Sequence, residues 1–197
     1  MSCRCGWDAK DREALLSFKD TIDSDEIRFK EKIKEVLLDN RFIIHVLHNE
    51  ELEKAEAEPD EYYGVNILPY YMVKPVQTNV KNYLTYDISF QEIPRGTKII
   101  KLGQIIFHIL CHADDAIDKE TGIARYDLLS ALVMDRFNWT NIFGNQVRVV
   151  SNRPSTVDMD YISRTIVLEG EFPNSIAKTF SQPDGKTRVV NSDVVVG

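Results

Sequence analysis

The chain has 197 residues, 43% of them hydrophobic and 28% charged, which suits one domain with an appendage and a single core large enough to be stable. Its formal net charge of -7 argues against an outer surface that wraps nucleic acid, because phosphate binding is driven by clustered Lys and Arg releasing counterions. No apolar run approaches the roughly 18 residues needed to cross a bilayer, and three cysteines, an odd number, fit a reduced chain without a structural disulfide.

The first residues, MSCRCGWDAKDREALLSF, place charges inside their only apolar patch, so they lack the core of a secretory signal and cytoplasmic synthesis is expected. Leu15, Leu16 and Phe18 sit in a charged segment that forms at most a marginal helix docked on something else. Asp23 with Glu26 three positions on resembles a helix start, and Ile27, Phe29, Ile33, Val36 and Leu37 continue an amphipathic pattern to about Asn40. Phe42 to Leu47 reads as a short strand or a second helical turn. Asn49 to Glu61 carries seven acids against one lysine, which suits a solvated loop or a polar helix ending before Pro59; a docking patch for a basic partner is the sharper alternative. Tyr62 to Pro75 is aromatic and proline-punctuated, the composition of ordered loops or edge structure.

From Tyr83 the alternation is clean: Leu84, Tyr86, Ile88 and Phe90 on one side, Thr85, Asp87, Ser89 and Gln91 on the other, a half-buried strand. Pro94, Arg95 and Gly96 make a turn, and the chain returns through Ile99 and Ile100, so a hairpin is expected, with Gly103 as a possible bulge. In the returning strand Ile105, Phe107, Ile109 and Cys111 alternate with Ile106, His108, Leu110 and His112. Both faces are largely apolar, the pattern of an interior strand covered on both sides. A helix follows, opened by Thr121 as cap and striped by Ile123, Leu129, Leu132, Val133 and Phe137, with Asn141 and Gly144 turning the chain after it. Val147 to Val150 is a third strand. Tyr161 to Phe172 is a fourth, with Ile162, Ile166, Leu168 and Phe172 on one face.

The coarse order is helix, strand, strand, helix, strand, strand: an α+β fold with a mostly antiparallel sheet of about four strands covered by helices and extended terminal arms. The division is an N-terminal extension over 1–24, a domain over 25–172, and a C-terminal arm or tail over 173–197. That tail ends in VVNSDVVVG after a Pro-Asp-Gly turn. Val194, Val195 and Val196 there suit an arm that adds a strand to a neighbouring subunit, a disordered tail being the alternative.

Chemistry-bearing residues concentrate between His108 and Asp118. His108, Cys111 and His112 are the candidate metal ligands, with Cys3 and Cys5 as conceivable additions, but the spacing is not that of a zinc site. On a strand Cys111 points away from both histidines, so no metal or cofactor is expected. Asp114, Asp115 and Asp118 with His112 imitate a hydrolase or divalent-ion site, although carboxylates in a turn before a helix more commonly cap and face solvent. No Gly-rich phosphate loop, nucleophile elbow or HExxH occurs. Arg125, at the second or third position of the helix, meets the positive end of the helix dipole and calls for an acidic partner: Asp114, Asp115, Asp118 or an acid of another subunit.

The strand with HADDAID, then TGIARYDLLSALVMDRFNWTNIFG and VRVVSNRPSTVDMDYISRTIVLEGEFPNS, resembles small proteins at the head-to-tail junction of tailed bacteriophages, most nearly the tail-terminator and tail-completion group. The resemblance spans roughly residues 26 to 175. It implies a non-enzymatic virion protein, a homo-oligomeric ring, commonly a hexamer. Such a ring ends the tail tube and joins it to the neck or connector, with DNA passing the lumen without specific binding and no membrane partner. A head-side connector or neck ring is the alternative; a metal protein or hydrolase using His108, Cys111, His112 and Asp114/Asp115 is the alternative of another class. In the ring reading Asp114, Asp115, Asp118, Arg125, Trp139 and Val194 to Val196 are the candidate subunit or ring contacts.

Overall fold

The computed structural model describes residues 8–17, 25–71, 81–92, 100–156, 160–173, 179–181 and 187–189. Helices α1 (Ala9–Ser17), α2 (Asp25–Leu38), α3 (Arg41–Leu47) and α4 (Glu50–Lys54) precede strands β1 (Ile67–Leu68), β2 (Tyr83–Glu92) and β3 (Ile100–His112). Helix α5 (Arg125–Phe137) then leads to β4 (Val147–Thr156) and β5 (Tyr161–Pro173), and β6 (Thr179–Ser181) pairs with β7 (Thr187–Val189) as a separate antiparallel hairpin. The five-stranded sheet has the order β1-β2-β3-β5-β4, all pairs antiparallel except β1 with β2. The α+β class and the mostly antiparallel sheet read from the sequence are therefore present, with β1 as an additional short edge strand.

Residues alternating along β2 and β3 send one set of side chains to the helical layer. Leu84, Tyr86 and Ile88, with Ile105, Phe107, Ile109 and Cys111, meet Phe29, Ile33 and Leu37 of α2, Ile43 and Leu47 of α3, and Leu129, Val133 and Phe137 of α5. Phe29, Ile33 and Leu37 recur every four residues, so α2 lays one stripe on the sheet; Ile27 of the expected stripe lies outside it, 42% exposed. Tyr86 buries its ring and donates its hydroxyl proton to the Lys30 carbonyl at 3.1 Å, and burial raises the phenol far above its ordinary range.

The opposite face is less closely packed among the described residues. β3 is the middle strand, yet only one face is fully buried; Leu102, Gln104, Ile106, His108 and His112 are half-buried. A small second cluster of Leu68, Tyr83, Leu110 and Tyr161 closes one end of that face, and among the described residues α2, α3 and α5 pack on the other side. Apolar side chains at alternate positions do not by themselves specify a second covering layer.

One open alternative is decided and two local expectations change. Phe42 to Leu47 is helix, because the Asn40 side chain accepts from the Phe42 amide at 3.1 Å and Asn49 caps α4 in the same way. Thr121 does not cap α5: its hydroxyl and amide both donate to Asp118. The helix instead starts at Arg125, so Ile123 lies before it and is 48% exposed. The bulge falls in β4 between Val149 and Ser151, not at Gly103. Gly103 stays in register, and the absence of a side chain is what the packing needs there, since a Cβ would sit 2.6 Å from the Phe172 ring. In the N-terminal extension α1 buries no residue, leaving Leu15 and Leu16 exposed. The turn residues Pro94 to Gly96, and Cys3, Cys5, Phe18, Asp23, Pro75 and Val194 to Val196, lie outside the described residues.

Candidate functional site

The densest gathering of buried polar groups lies where β3 ends, α3 ends and α5 begins. After α3 the chain turns at His48 in a left-handed conformation (φ 47), a region that Asn, Asp and His enter more readily than other side chains. The turn brings His48 Nδ1 to 2.7 Å from Asp115 Oδ2. The same carboxylate oxygen accepts from Asn82 Nδ2 at 2.8 Å and lies 3.4 Å from Arg125 Nε. Arg125 Nη1 reaches Asp118 at 3.1 Å and donates to the Val46 carbonyl. Asp118 also accepts from Thr121, and these hydrogen bonds, with the Arg125 charge, hold its carboxyl below the ordinary range.

Asparagines extend this network. Asn82 donates to the Leu47 carbonyl and accepts from the His112 amide; Asn66 donates to the Asn82 carbonyl; Asn49 donates to Asn66. Arg125, Asp118, Asn49, Asn66 and Asn82 are all at most 3% exposed. The result ties α3, α4, β1, β2, β3 and the start of α5 together through buried polar groups, with Arg125 Nε facing Asp115 as an ion pair without a hydrogen bond. That is a structural clasp, in which the charges meet inside one chain and not across a surface.

Three of the candidate contact residues therefore move inward. Asp115, Asp118 and Arg125 are buried in this clasp, whereas Asp114 remains exposed, its amide donating to His112 Nδ1. Pairing of Arg125 with Asp115 and Asp118 answers the sequence argument about the helix dipole. The sequence reading did not single out His48, Asn49, Asn66 or Asn82. A His-Asn pair closing an apolar run was the one available signal, since isolated asparagines carry no periodicity.

The candidate metal ligands are divided between the two faces. Cys111 is buried in the core beneath the helices, and burial pushes its thiol up to about 12. His108 lies on the opposite face, where Nδ1 is 3.0 Å from Thr165 Oγ1 and the Tyr71 ring packs against it at a tilt, centroids 4.1 Å apart; burial lowers its pKa. His112 packs edge-on against Tyr161. Among the described residues no group of three His, Cys, Asp or Glu side chains is placed to hold a metal ion.

Trp139 is the exception among the contact candidates. It is 61% exposed and held at φ 60, a conformation costly for a bulky side chain. The backbone around it is clamped to β4: the Trp139 amide donates to the Val147 carbonyl at 2.8 Å, Val147 donates back to Thr140, and the Asn138 side chain accepts from Val149. Trp139 lines a hollow of about 420 Å³ together with Leu102, Gln146, Arg148 and Glu169.

These features define a small α+β protein with a one-sided sheet, an internal polar clasp and a preset exposed tryptophan at one edge. The YomW family model matches residues 31–169, from the middle of α2 to the end of β5. The chain belongs to that family, a Bacillus phage SPBeta-like protein family, and the match suggests a phage-encoded protein. None of the curated proteins matches the chain. No helix among the described residues is long and apolar enough to cross a membrane.

Proposed function

We propose that this protein is a structural component of a tailed-phage virion, forming a homo-oligomeric ring at the head–tail interface that ends the tail tube and joins it to the neck. One observation carries the reading: among the described residues the helices cover one face of the sheet, with Ile106, His108 and Val167 half-buried on the other and Trp139 exposed at its edge. Large apolar groups preset at a surface are the material of subunit contacts. Phage encoding and the order of elements around β3 and α5 agree with it, and an acidic chain suits a lumen through which DNA slides without sticking. In this reading the protein is non-catalytic, is made in the host cytoplasm and ends at the head–tail junction.

Deletion of the gene tests the reading. A terminator predicts DNA-filled heads and unjoined tails of unregulated length; the head-side connector alternative predicts tails of normal length beside leaking heads. Ordinary, infectious joined particles would sink both.

A further inference from the structure

The strand order fixes which surfaces two copies present to each other. β4 is one edge of the sheet and β1 the other, four strand spacings or roughly 19 Å apart. The β4 edge is basic and aromatic. Arg148 and Arg153 are exposed on the strand itself, which has no acidic residue, and Trp139 lines one hollow with Arg148. The β1 edge is flanked by α4 and the turn after it, fastened there by Glu51 to Lys81 at 2.8 Å and Asn49 to Asn66 at 2.6 Å. Glu53 and Glu56 face solvent in this segment, and Tyr70 is 43% exposed just past β1.

We infer that the β4 edge of one copy, with Trp139, Arg148 and Arg153, docks on the β1 edge of the next copy, with Glu53, Glu56 and Tyr70. This contact rests on the ring reading and deepens it by naming the two surfaces that join. Opposite charge at opposite edges selects a head-to-tail, heterologous contact over a two-fold one, because like edges repel when they meet face to face. A contact of that kind repeats around a ring when its rotation closes. Trp139 is suited to be the anchor: its clamped backbone means that little freedom is lost on docking. The bulge after Val149 and Pro154, which lacks an amide donor, interrupt the outer edge of β4. The join therefore runs through side chains and not through an extended sheet.

Sedimentation velocity of the full chain over a range of concentration and salt tests this. The wild type is expected to associate, less strongly as salt screens the edges. Trp139→Ala, the pair Arg148→Glu and Arg153→Glu, and the pair Glu53→Arg and Glu56→Arg are each expected to weaken association at least about tenfold. Combining the two charge-reversed pairs in one chain is expected to restore it. Thermal melts of each variant show that the monomer still folds, as substitutions at exposed positions should allow. Association that survives every substitution overturns this contact and leaves the ring standing, and so does loss in the separate pairs without recovery in the combined chain. A wild-type chain that remains monomeric at all concentrations overturns the ring and the contact together.

Discussion

Ile106 and Phe107 are neighbours on β3, and they belong to different environments. Phe107 is fully buried under the helices, with Phe137 5.0 Å away and Tyr86 across the strand pair. Ile106 looks out on the half-open face beside Asp87 and Val167, its partners in the flanking strands. The covered face holds the fold together and ends in the Arg125 clasp, whereas the open face holds what remains for contact. The difference teaches that hydrophobicity along a strand marks what can be buried, and the supply of covering elements decides what is.

The largest effect is expected at the clasp. Arg125→Met removes the cation that faces both Asp115 and Asp118 and should cost about 3–5 kcal/mol, because it strands two buried carboxylates. Adding Asp115→Asn and Asp118→Asn should recover part of that loss in urea denaturation. Full stability of the single variant would show that the clasp does not hold the covered side. The two faces are compared most directly by Phe107→Ala and Ile106→Ala. The first opens a core cavity and should cost about 3–5 kcal/mol, the second about 1 kcal/mol in the isolated chain. Equal losses would mean that the open face is covered after all.

The smallest effect is a matter of pH. Burial lowers the folded pKa of His108 below its ordinary 6.5, so the folded state resists protonation more than the unfolded chain does. Its contribution is fully present above 6.5 and is lost as pH falls through that value toward the folded pKa. Asp118, lowered from 3.8, acts in a more acid window: its stabilisation is present above 3.8 and lost as pH falls through the folded value. His108→Gln should flatten the decline in denaturation midpoint between about pH 7 and pH 5 while leaving the acid decline intact. An unchanged profile across the first window would assign the pH response to other groups.

Much of the architecture was legible in the sequence because periodicity survives folding. The two-residue alternation of β2 and β3 and the stripe of Leu129, Val133 and Phe137 are local patterns, and each became the element it implied. Capping was less legible. Thr121 and Asn40 are both good cap residues, yet Thr121 turned to Asp118 three positions back while Asn40 capped α3; sequence offers both partners and cannot rank them. Arg125 illustrates a middle case. Helix-dipole reasoning required an acid for it, and two of the candidate aspartates supplied one, but nothing local told that the pair would be inside.

The sequence alone determined the α+β class, the hairpin of β2 and β3, the central place of the strand from Ile105 and the opposed directions of Cys111 and His108, since all of these follow from side-chain period along a chain. Tertiary structure alone decided that the described helices gather on one face of the sheet, that His48 and Asn82 converge on Asp115 from distant positions with Asn66 bonded behind Asn82, and that Trp139 is held outward at φ 60. Those outcomes depend on which elements meet and which groups satisfy one another across the fold, and no spacing along the chain encodes them.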